Sequence, residues 1–222
     1  MYKINYIDLN EKVYRALKEM ILKNELKSGE KLNQEKLAIQ LGVSRTPLQS
    51  AFYRLEKELL VEIKPRKGAF VKQLTLQDFH ELYDIRGRLE SLGAYEAAKR
   101  ATQLEVNQLA KHLAIFQKVV KNKEHSTLME ADYHYHMTIM KMSKNDLLFR
   151  MIASYNLLII SNLEGLLKPP SRSLEEHREL FDAIKNKKAE LAEKLMTLHI
   201  FDAKERIRER MANSSMNSEG EK

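Results

Sequence analysis

A chain of 222 residues, 43% of them hydrophobic, is long enough for one large or two modest cores, and seven glycines and four prolines are too few for a β-rich or loop-rich protein. The absence of cysteine excludes disulfides, thiolate metal sites and a cysteine nucleophile. The N-terminus has no apolar signal core and no apolar run is long enough to span a bilayer, so a mainly α, soluble, cytoplasmic protein with no membrane partner is expected. The formal charge of +7 is uneven: residues 1–72 hold fifteen Lys and Arg against nine Asp and Glu, whereas residues 73–222 hold twenty-three against twenty-two. A basic first third points to nucleic acid, because neutralising phosphates releases counterions.

In chain order, Val13, Ala16, Leu17, Met20 and Ile21 recur at helical spacing and predict a first helix over 11–24. Asn33 is placed to cap a second helix carrying Leu37, Ala38 and Leu41, which Gly42 ends. Ser44 is placed to cap a third, with Pro47 in its first turn and an apolar face of Leu48, Phe52, Leu55 and Leu59. Two helices joined by a four-residue turn containing Gly are the pattern of a helix-turn-helix. Extended runs at 61–64 and 69–74, around Pro65-Arg66-Lys67-Gly68, predict a hairpin with a basic tip.

The run Gly42-Val43-Ser44-Arg45-Thr46-Pro47-Leu48, then Arg54-Leu55-Glu56, then Gly68 before Val71, resembles the winged helix-turn-helix of the GntR family of transcriptional regulators. The resemblance implies double-stranded operator DNA as the partner, with the start of the third helix in the major groove and the wing tip reaching the minor groove. Ser44, Arg45 and Thr46 would meet phosphate or bases, Arg45 being suited to a guanine edge. Arg54 is carried by the same motif, and Lys64, Arg66, Lys67 and Gly68 form the wing tip. The chain departs from the family where Gln49-Ser50 replaces a common Arg-Glu, and Leu59 a common Gly; Gln49 suits an adenine edge through its amide.

From Thr75 onward the pattern is helical, with breaks near 101–102, 122–125, 143–145, 168–173 and 186–188, giving about six helices in an all-α bundle. The domains expected are a DNA-binding head at 1–74, a helical sensor at 75–211 and a disordered polar tail at 212–222. Asp132 and His136 stand four residues apart and project from one helix face. With His177 and His199 on two later helices they offer one carboxylate and three imidazoles, a donor set suited to a divalent transition metal such as zinc, nickel, manganese or iron. His80, His112, His125 and His134 fall outside this set and read as structural or exposed.

Asp132-x-x-Tyr135-His136, Ser173-x-x-Glu176-His177-x-x-Leu180, and Ala192 followed by His199 resemble the metal-bearing motifs of the FCD domain, the sensor of the FadR-type branch of GntR regulators. Asp84-Ile85-Arg86 with Leu89-Glu90 resembles its opening helix. The resemblance implies a homodimeric regulator, most often a repressor, that binds zinc or a related metal at Asp132, His136, His177 and His199. It also implies a small carboxylate effector that reaches both the metal and Arg86. Asn156 and Ser173 are candidates for hydrogen bonds to that effector; the alternative for Arg86 is a salt bridge to Glu90 or Asp84. Two other readings remain open: a regulator for which the metal itself is the signal, and a mononuclear metalloenzyme, although no general base accompanies the ligands as in H-E-x-x-H.

Overall fold

The computed structural model describes residues 9–153 and 168–219. Among the described residues, those up to Gln73 and those from Leu74 onward separate as two compact units. In the head, α1 (Leu9–Leu22), α2 (Gln34–Leu41) and α3 (Arg45–Lys57) precede a hairpin of β1 (Val61–Lys64) and β2 (Gly68–Val71). Val13, Leu17 and Ile21 of α1 are buried in the head core, as are Leu48, Phe52 and Leu55 of α3. The apolar periodicity of each helix is therefore its packing face.

The predicted caps form in part. The Asn33 side chain accepts from the backbone N–H of Glu35 and Lys36, and Gly42 ends α2 at φ 63° in the left-handed region. Ser44 has the extended backbone of an N-cap, but its hydroxyl makes no cap hydrogen bond. The end of α3 has no glycine: Leu59 takes φ 59°. There the Leu60 N–H donates to the Leu55 carbonyl at 2.9 Å and closes the helix. The hairpin is shorter than predicted and pairs Val61 with Val71 and Lys64 with Gly68. An isolated bridge between Lys31 and Phe70 ties it to the segment before α2.

The helical unit contains α4 (Leu76–Arg100), α5 (Gln103–Asn122), α6 (His125–Met142), α7 (helical over 146–153), α8 (Pro170–Lys185) and α9 (Ala189–Glu219). Thr75 and Asp78 form a reciprocal capping box that starts α4, and Thr102 and Glu105 do the same for α5. Helices α4 and α9 pack closely, with Asp84 paired to Lys204 and the Ser91 hydroxyl 2.7 Å from that of Thr197. The approach depends on Gly87, where an added Cβ would lie 2.7 Å from the Phe201 ring. Helix α9 continues to Glu219, past the point at 212 where a disordered tail was expected. No Gly or Pro lies between Ala189 and Glu219 to interrupt α9. Among the described residues no helix is long and apolar enough to cross a membrane.

Candidate functional site

In the head, the extended Ser44 and the first two turns of α3 leave Ser44, Arg45, Thr46 and Gln49 exposed on one side, while Pro47 and Leu48 are buried. The Arg45 guanidinium donates to Glu35 at 2.5 Å, and both side chains are mostly exposed. Such a surface pair contributes little, so it yields readily to a phosphate or a base edge. Tyr53 was not singled out from the sequence, yet it is 59% exposed two turns beyond Arg45 and one beyond Gln49. That i, i+4, i+8 spacing was the signal available for it.

Arg54 is exposed, and its guanidinium pairs with Glu11 and lies 3.6 Å from the centre of the Tyr14 ring, contacts that join α3 to α1. At the wing tip Lys64, Arg66 and Lys67 are exposed, Arg66 takes φ 63° and Gly68 φ 99°. Gly68 is a backbone requirement, since a side chain there would be strained.

In the helical unit, Asp132 and His136 on α6, His177 on α8 and His199 on α9 converge. One donor atom from each lies within 4.8 Å of the others. The His136 and His199 Nε2 atoms are 3.2 Å apart, and His177 Nε2 is 3.5 Å from Asp132 Oδ1. Ligands about 2.0–2.1 Å from a tetrahedral zinc stand roughly 3.3 Å from one another; these two pairs have that spacing, and the wider ones, up to 4.8 Å, close by small side-chain shifts when all four hold one ion. Both ring nitrogens of His177 are buried without a hydrogen-bond partner, a costly arrangement that a metal ion would relieve at one of the two. Burial pushes the Asp132 carboxyl up, against the opposing charges of His136 and Arg86. It pushes the His177 and His199 imidazoles well below their ordinary range. Neutral imidazoles are the ligating form.

The surrounding shell was largely unread in the sequence. Glu90 on α4 is fully buried; its Oε1 accepts from Arg86 Nε at 2.5 Å, and its Oε2 lies 2.6 Å from His136 Nδ1. Burial would raise the Glu90 carboxyl, but the Arg86 and His136 charges outweigh it and hold it at about 2. Glu176 Oε2 is 2.6 Å from His199 Nδ1, and the buried Lys168 ammonium pairs with Glu176. Tyr135 stacks on His177 with centroids 4.2 Å apart and donates its hydroxyl to the His177 carbonyl at 2.7 Å. The signals were adjacent: Glu90 follows Arg86 by four residues, and Glu176 precedes His177.

Arg86 is buried and forms the Glu90 salt bridge, while Asp84 pairs with Lys204. Ser173 is half-buried one turn before His177 on α8. Asn156 and Tyr155 lie outside the described residues. His134 is half exposed and its ring stacks on that of His112, 5.8 Å between centroids.

Residues 9–71 match the family of bacterial regulatory proteins known as the gntR family, and residues 81–202 match the FCD domain. The chain belongs to the GntR family of transcriptional regulators. As a GntR regulator with an FCD domain it is 32% identical, over 84% of its length and 85% of the relative's, to the HTH-type transcriptional regulator YdhC of Bacillus subtilis. It is 24% identical, over 95% of its length and 94% of the relative's, to the HTH-type transcriptional repressor RspR of Escherichia coli. Its fold is that of the solved E. coli McbR/YncC, with a TM-score of 0.78 at 21% identity, covering 93% of this chain and 100% of that one. A GntR regulator from Rhodococcus sp. RHA1 superposes with a TM-score of 0.76 at 21% identity, covering 89% of this chain and 96% of that one. GntR-family proteins of this kind regulate transcription by binding DNA and are not enzymes, so the catalytic reading of the histidine cluster falls.

Proposed function

We propose that this GntR regulator acts in the cytoplasm, at the nucleoid, as a homodimeric repressor whose operator affinity is set by a small carboxylate effector bound at a metal centre in the FCD domain. The observation that carries the reading is the convergence of Asp132, His136, His177 and His199, with His177 buried and unpartnered. Zinc is the ion best suited to three imidazoles and one carboxylate, with nickel, manganese and iron as substitutes. A metal there supplies Lewis acidity and open coordination positions for an acid.

The chain's own residues then do the rest. Arg86 is held by Glu90, whose other oxygen lies 2.6 Å from the His136 ring, and its fixed guanidinium would pair with an effector carboxylate at the metal. Ser173 and Asn156 would hydrogen-bond its hydroxyls. In the head, Ser44, Arg45, Thr46 and Gln49 meet base edges and phosphates, and Lys64, Arg66, Lys67 and Gly68 meet the neighbouring backbone. Repression is supported by the likeness to RspR. Dimerisation follows from matching a two-fold operator.

The effector alters operator affinity only by binding one arrangement of the protein more tightly than another. The test is to select the operator from random duplexes and measure its affinity for stripped protein, zinc-loaded protein, and zinc-loaded protein with a panel of small hydroxy acids and dicarboxylic acids. An acid that changes the operator Kd of the zinc-loaded protein by about 5- to 150-fold supports the reading. If zinc alone changes the operator Kd and no acid does, the metal itself is the signal.

A further inference from the structure

We infer that Glu90 and Glu176 are positioning residues of the metal centre: each holds one histidine in the tautomer that turns Nε2 toward the ion, a role that His177 leaves to aromatic packing. This inference rests on the metal reading of the cluster.

An ionised carboxylate only accepts hydrogen bonds. The 2.6 Å contact of His136 Nδ1 with Glu90 Oε2 therefore places the ring hydrogen on Nδ1, and the 2.6 Å contact of His199 Nδ1 with Glu176 Oε2 does the same. The Lys168 ammonium competes for His199 Nδ1, and were it the donor there, the hydrogen would move to Nε2 and block ligation. Its distance is 3.3 Å, and its stronger contact is with Glu176, so the carboxylate sets the tautomer. In the neutral rings both Nε2 atoms are then bare, and they face one another at 3.2 Å, where two lone pairs repel unless a proton or a metal ion lies between them. His177 has no such carboxylate. Its ring is held between Tyr135, stacked at 4.2 Å, and Phe116, tilted at 4.8 Å.

Glutamine cannot replace either carboxylate fully. At position 90 one amide oxygen would have to serve both Arg86 and His136, which draw on two carboxylate oxygens. Outer-shell partners of this kind change metal affinity by about 10- to 100-fold when removed.

The experiment is competition of the full-length protein with a chromophoric zinc chelator, comparing wild type, Glu90→Gln, Glu176→Gln and the exposed control Glu179→Gln. Zinc should bind about 10- to 100-fold more weakly to the first two variants and unchanged to the control. Imidazole nitrogen NMR of zinc-loaded wild type gives a reading that does not depend on any variant folding. His136 and His199 should ligate through Nε2 and keep exchange-protected Nδ1–H protons. Wild-type affinity in both glutamine variants, or ligation through Nδ1, overturns the inference while leaving the metal site intact. A wild type that takes up no zinc overturns the metal reading and this inference together.

Discussion

His136 and His199 face each other through their Nε2 atoms across 3.2 Å, although they lie 63 residues apart on α6 and α9. Three helices are joined at this point, since His177 of α8 completes the set. Metal at this position should therefore stabilise the helical unit. Saturation at 100 to 1,000 times Kd corresponds to about 3 to 4 kcal/mol. Thermal melts before and after chelation measure it: Tm should fall by several degrees on stripping and return with zinc. An unchanged Tm would place the ion outside the fold's energetics.

Asp132 makes the metal-free site unstable, because its carboxyl is pushed up by burial and so resists ionisation in the fold. Asp132→Asn removes that charge. The variant should raise metal-free stability while weakening zinc binding. Paired urea titrations and zinc competition check the two opposite signs.

The same burial gives the metal-free protein a pH dependence. His177 and His199 protonate in the fold only well below the ordinary imidazole range, whereas the unfolded histidines take up protons near 6.5. Unfolding therefore binds protons across that window, and stability is lost as pH falls below about 6.5. The raised Asp132 works in the opposite sense, so Asp132→Asn isolates the histidine contribution. Its urea midpoint should fall as pH drops from about 6.5 to about 5.5. A flat profile would mean that these imidazoles are not buried.

Leu59 ends α3 in the left-handed region, where a side chain costs about 1 kcal/mol that glycine does not. Leu59 is 47% exposed, so little burial is lost by replacing it. Leu59→Gly should raise head stability by up to about 1 kcal/mol, visible as an upward shift in Tm. A fall would show that Leu59 packing outweighs the strain.

In the head, Arg45 and Arg54 should separate. Arg45→Ala should weaken operator binding by about 1–3 kcal/mol with little change in Tm. Arg54→Ala should lower Tm through loss of its contacts with Glu11 and Tyr14, and leave the salt dependence of DNA binding nearly unchanged. Equal salt slopes and stabilities for the two variants would contradict this division.

Much of this architecture was legible because it is local. The periodicity of α1 to α3, the caps at Asn33 and Thr75 and the breaks between the sensor helices are written in neighbouring residues. The end of α3 was not, because Leu59, read as part of its apolar face, adopts positive φ without being glycine. The four metal donors were readable as a motif, but Glu90 and Glu176 serve them from across helix interfaces that spacing along one helix does not encode. Lys168 lies at a predicted break and is buried, because Glu176 and Asp202 accept its charge. Arg54 carried the family motif, and its contact with Tyr14, forty residues earlier, is one that spacing along α3 does not encode.

The most direct measurement of the central claim is the metal content of untagged protein purified without added metal, in wild type and in His177→Ala. The metal centre predicts about one ion per chain in wild type and its loss in the variant. Equal, metal-free preparations that stay empty after incubation with zinc, nickel and manganese would contradict it.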